Sequence, residues 1–105
     1  MNTLIRQNIE NIKLLAQKHH VKRLSLFGSA ATGDFSANSD IDLLYTFDLD
    51  ALPIEDYADV YFNFLYSLQD LLKRDVDLVS ETNISNKYFK KEIESSKILL
   101  YESAN

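Results

Sequence analysis

Both glycines of the chain fall in one six-residue segment, GSAATG (28–33). Glycine enters positive φ at no steric cost, so it marks where a backbone must bend sharply. Average usage would put roughly seven glycines in a chain of this length. The pair therefore fixes the position of one demanding turn. Apolar runs flank it, VKRLSLF (21–27) before and IDLLYTF (41–47) after, each of strand length and rich in residues that strands favour.

The remaining periodicity fills in the elements. Residues 3–19 read as an amphipathic helix, with Ile5, Ile9, Ile12 and Ala16 on one stripe beside Leu15. The His19-His20 pair near its end suits the exposed carbonyls and the helix dipole. Val21–Phe27 is a strand with Leu24 and Leu26 on one face and Ser25 and Phe27 on the other. The turn at Gly28–Gly33 opens a short helix at Ser29. A second strand runs from Asp40 or Ile41 to Phe47, and an acidic loop with Asp48 and Asp50 follows as a solvated connection.

Pro53, Glu55 and Asp56 combine a fixed φ with negative charge, a good helix start. That helix should run to about Lys73, with Tyr57, Tyr61, Phe64, Leu65, Leu68 and Leu72 as its apolar stripe. Ala58, Phe62, Tyr66 and Leu71 widen the stripe beyond what covering one sheet face requires. Either the helix is deeply buried or its far edge docks on a partner. Asp75–Ser80 reads as a third strand, Ser85 or Asn86 as the cap of a short helix to about Glu94, and KILLY (97–101) as a final strand or extended tail. Without repeats or linkers, the order predicts one domain over 1–105, an α/β fold in which a small mixed β-sheet is flanked by helices.

Composition narrows the functional classes. There is no cysteine, which excludes disulfides and thiolate metal sites. No apolar run approaches the roughly 18 residues of a membrane span, and the N-terminus does not read as a signal peptide; a cytoplasmic location and no membrane association are expected. The net charge is −5 and the pI about 4.8. Lys22-Arg23, Lys73-Arg74 and Lys90-Lys91 are short and scattered, so no basic face for phosphates is expected and direct nucleic-acid binding is not.

The chemistry concentrates near the turn. In a strand, residues two apart share a face at about 7 Å, so Asp40 and Asp42 project together. Asp77, in VDLV, has a similar apolar setting. Desolvating such carboxylates costs several kcal/mol, and converging ones repel and raise one another's pKa. A divalent cation would neutralise them, and an oxygen-only donor set selects a hard one such as Mg²⁺. Each aspartate also has a plainer role open to it. Asp40 after Asn38-Ser39 could cap a turn, Asp42 could pair with a cation, and Asp77 could sit on an exposed edge, with Asp75 paired to Arg74. Gly28-x4-Gly33 matches the P-loop spacing superficially, but Asp34-Phe35 stand where Lys and Ser/Thr belong. What remains is a glycine that admits a phosphate close to the backbone, with Ser29 as a hydroxyl donor or a plain helix cap.

Gly28-Ser29, ten intervening residues and Asp40-x-Asp42 resemble the signature of the DNA polymerase β nucleotidyltransferase superfamily. LSLFGSAATG is similar to its strand-to-turn segment, and DVDLVS falls where its third carboxylate strand is expected. The likeness covers nearly the whole chain and is greatest to the minimal nucleotidyltransferases (MNT). It implies a polymerase β-like nucleotidyltransferase fold in which Gly28 and Ser29 hold the triphosphate of ATP. It also implies Asp40, Asp42 and Asp77 as catalytic Mg²⁺ ligands, with Asp77 helping to activate the acceptor hydroxyl. The reaction implied is transfer of a nucleoside monophosphate with loss of pyrophosphate.

Many minimal members are antitoxins of HEPN-domain ribonuclease toxins, and some transfer AMP to a toxin tyrosine. The resemblance thus implies a protein adenylyltransferase acting as antitoxin in a hetero-oligomer with a HEPN toxin. Its alternatives are a non-catalytic antitoxin that occludes the toxin through the Tyr57–Leu72 helix, and a small-molecule (aminoglycoside-type) nucleotidyltransferase. One departure stands out. The family turn commonly reads Gly-Ser-x-Ala-Arg-Gly, and Thr32 occupies the arginine position, which bears on nucleotide affinity and local packing.

Overall fold

Asn2 begins the first helix by accepting hydrogen bonds at Oδ1 from the Leu4 and Ile5 amides, at 2.7 and 3.3 Å, which satisfies donors that have no partner within a first turn. In this computed structural model, which describes residues 2–33 and 39–104, α1 then runs Thr3–Lys18 and buries Ile5, Ile12 and Ala16. His19 closes it, its Nδ1 lying 2.7 Å from the Leu15 carbonyl, and His20 takes a positive φ of 61° to release the chain into β1.

The strands are β1 (Val21–Phe27), β2 (Ile41–Phe47), β3 (Val76–Ser80) and β4 (Ile98–Glu102). They form one sheet in the order β3-β2-β1-β4. β1 is antiparallel to both β2 and β4, whereas β2 and β3 are parallel. A parallel pair requires a crossover, and this is α3 (Tyr57–Leu72). The remaining α-helices among the described residues are α2 (Ser29–Thr32) and α4 (Lys87–Ser96).

Period-2 alternation sorts the strand side chains onto two faces with different roles. Leu24, Leu26, Ile41, Leu43, Tyr45, Phe47 and Leu78 join Ile5, Ile12, Phe64, Leu68 and Leu72 in the main core, beneath α1 and α3. On the opposite face, Phe27, Leu44 and Ile93 form a smaller core with Val79 and Ile84, and Ile93 is the buried side chain of α4. Hence α1 and α3 build the stability of the sheet, while α4 covers the other side thinly.

Two boundaries and one pairing differ from expectation. The third helix does not begin at Pro53: its ψ of 141° keeps that residue extended, and Ile54–Asp56 forms a 3-10 turn before Tyr57 enters α geometry. β3 begins at Val76 rather than Asp75, whose carbonyl accepts the Ile41 amide at 2.9 Å. Arg74, expected to pair with Asp75, directs its guanidinium to the Ser39 carbonyl. The extra breadth of α3 is partly exposed, because Phe62 and Tyr66 are 48% and 59% accessible and stack on each other with centroids 6.0 Å apart. Asp34-Phe35 and Asn38 lie outside the described residues.

Candidate active site

Strand register assembles the site. Asp42 of β2 lies opposite Phe27 of β1 and in register with Asp77 of β3, so Phe27, Asp42 and Asp77 form one row across three strands. In-register neighbours share a face, and this row lies on the α4 side. In the next row, Ser25, Leu44 and Val79, Leu44 and Val79 belong to the smaller core and Val79 lines the cleft. Arg23 and Thr46 of the third row meet Glu81, whose Oε1 accepts from both at 3.1 and 3.2 Å. A carboxylate pair thus sits at one end of the face and a satisfied polar network at the other.

The glycine turn abuts Asp42. Gly28 adopts φ 69° and ψ −153°, a region that essentially only glycine occupies. A Cβ there would stand 2.2 Å from Asp42 Oδ2. The glycine is therefore required twice, for its backbone angles and for the space that the carboxylate occupies. Gly33 closes α2 in left-handed conformation at φ 97°, with open space around it. Gly28 is the N-cap residue of α2 and no side-chain hydrogen bond caps that helix, so Ser29 does not serve as a plain cap.

Asp42 feels the expected strain. Burial pushes its carboxyl above the ordinary aspartate value, and the charges of Asp77 and Asp40 push it further in the same direction. None of the ion pairs among the described residues includes Asp42. Asp77 is exposed at the sheet edge, and Asp40 is exposed just before β2.

A cleft of about 570 Å³ opens over the row, lined by Gly28, Ser29, Thr32, Asp42 and Asp77 on the sheet side. This is the size range of small-molecule sites. Asp40 does not line it. No three acidic or histidine side chains among the described residues are close enough to make a preformed metal centre. The donor set nevertheless suits a hard cation: adjacent oxygen ligands, in no ion pair among the described residues, whose mutual repulsion such an ion would relieve.

The far wall was not legible in the sequence. It comes from α4, through Phe89, Glu92, Ile93 and Ser96, residues of a polar stretch with no motif. Lys97, just past the helix, donates to Glu81 Oε2 and Glu94 Oε1, both at 3.0 Å. From Phe89 to Lys97, one residue past α4, the chain rises about 12 Å, and from Asp77 to Glu81, one residue past β3, about 13 Å. α4 therefore lies along the strands, held to the polar network at one end and walling the carboxylate cleft at the other.

A mixed sheet with carboxylates on neighbouring strands beside a Gly-Ser turn defines a polymerase β-like nucleotidyltransferase domain. Residues 10–105 match the family described as "Polymerase beta, Nucleotidyltransferase", and the chain belongs to that family. MJ1379 of Methanocaldococcus jannaschii, a candidate protein adenylyltransferase, is 37% identical over 86 residues, covering 82% of this chain and 83% of its own. A solved structure of a candidate minimal nucleotidyltransferase is 29% identical with a TM-score of 0.71, covering 93% of this chain and 95% of that one. A chain of the complex of the tri-AMPylated Shewanella oneidensis HEPN toxin with its MNT antitoxin shares the fold at 20% identity and TM-score 0.63, over 93% of this chain and 72% of that one. The chain is a nucleotidyltransferase by family, and no helix among its described residues is long and apolar enough to cross a membrane.

Proposed function

We propose that this protein transfers AMP from ATP to a protein hydroxyl, a tyrosine of a HEPN ribonuclease toxin, and so acts as that toxin's antitoxin. The observation that carries this reading is the Asp42–Asp77 register beside Gly28, and the kinship to MJ1379 supports a protein as acceptor. Gly28 and Ser29 hold the triphosphate. Asp42 and Asp77, with Asp40 beside them, would hold Mg²⁺, which when bound polarises the attacking oxygen and stabilises the leaving one. The acceptor oxygen forms a bond to the α-phosphorus as the bond to the α–β bridging oxygen breaks. Pyrophosphate leaves, and the hydroxyl proton passes by way of the Asp77 carboxylate to solvent. Thr32, where the family turn commonly carries arginine, brings no cation of its own to the turn.

Intact mass of a HEPN partner encoded beside this chain, after incubation with the chain, ATP and Mg²⁺, tests the reading. Growth in steps of one AMP is expected; neutralised toxin of unchanged mass overturns it. A second reading, occlusion without chemistry, draws on the exposed Phe62–Tyr66 stack. Full neutralisation by a chain carrying Asp40→Ala and Asp42→Ala at natural dose would select it.

A further inference from the structure

We propose that Phe89 is the stacking platform for the nucleobase of the donor nucleotide; this rests on the nucleotidyltransfer reading above. The cleft has two unlike walls. The Gly28–Asp42–Asp77 side takes phosphate and metal, whereas the facing α4 wall presents Phe89 beside Phe27. Phe89 meets Phe27 edge to face, with centroids 6.2 Å apart and planes at 73°. The side chain remains 42% exposed although it borders the cleft. An aromatic left open at the mouth of such a site matches the flat face of a base, and stacking of this kind is tolerant of which base is bound. Glu92, one turn further along the same wall, disfavours phosphate there, which orients the nucleotide with its base toward α4. Phe89 is not what anchors the helix, since Ile93 is its buried residue.

Titration calorimetry in Mg²⁺ of wild type, Phe89→Ala and Phe89→Trp with a non-hydrolysable ATP analogue, and separately with inorganic tripolyphosphate, tests the assignment. Phe89→Ala should weaken the ATP analogue roughly 5- to 150-fold, equivalent to about 1–3 kcal/mol, and leave tripolyphosphate unchanged, with Phe89→Trp restoring affinity. Equal weakening of both ligands would mean a structural role for Phe89 and overturn the proposal. So would an unchanged affinity for the analogue together with a raised KM for the protein acceptor, which would place the acceptor on this ring. If wild type binds the analogue and Phe89→Ala binds it equally well, the platform fails and the nucleotidyltransfer reading stands. If wild type binds neither ligand, both fail.

Discussion

At Gly28 a methyl group would collide with the carboxylate oxygen of Asp42 while the backbone held angles that side chains avoid. Gly28→Ala should therefore cost about 1–3 kcal/mol of stability, seen in chemical denaturation, and abolish AMP transfer even where the fold survives. Asp42 carries the opposite trade. Its carboxyl is raised in the folded state by burial, then by Asp77 and Asp40, so the native protein binds this proton more tightly than the unfolded chain does. The associated stability is present below the ordinary aspartate value and is lost as pH rises through the raised one. In metal-free buffer at neutral pH, Asp42→Asn should then raise Tm, with a gain that shrinks on acidification, while transfer falls by about 10²–10³-fold, the scale of losing one electrostatic stabiliser. A lower Tm at neutral pH would show that Asp42 is a structural carboxylate.

The helices divide the labour between the two sheet faces. In α3, Phe64 is fully buried, and Phe64→Ala should cost about 3–5 kcal/mol. Phe62→Ala and Tyr66→Ala, on the exposed edge, should stay within about 0.5 kcal/mol of wild type yet weaken association with the partner in a pull-down titration. α4 depends on the polar network instead. Burial alone would raise the Glu81 carboxyl, but the Lys97 hydrogen bond and charge, Arg23 and the Thr46 hydroxyl outweigh it and hold it below the usual glutamate value. That contribution is present above the unfolded value of 4.5 and fades as pH falls through the lowered one. Glu81→Ala should lose about 1.5–3 kcal/mol, the scale of a charge-assisted hydrogen bond. It should also raise amide exchange in α4 more than in α3, because Ile93 alone is buried in that helix.

For the molecule as a whole, the site is a product of topology acting on a local motif. The Gly28-Ser29 turn and the Asp40-x-Asp42 pair could be read from the chain because each depends on a few adjacent residues, and the strands alternate cleanly enough to show their faces. That Asp77 stands beside Asp42 could not be derived from spacing, since a parallel pairing across the α3 crossover is set by packing more than thirty residues away. Resemblance supplied it. The α4 wall escaped notice for a different reason: Phe89 and Glu92 lie in an ordinary-looking polar helix, and only the docking of that helix over the Phe27 row gives them a role.

The most direct test is a crystal structure of the chain with a non-hydrolysable ATP analogue and Mn²⁺, read by anomalous scattering. A two-carboxylate site at Asp42 and Asp77 predicts manganese density between them, with the triphosphate against the Gly28-Ser29 turn. Manganese or triphosphate bound elsewhere, with either carboxylate turned away, would contradict it.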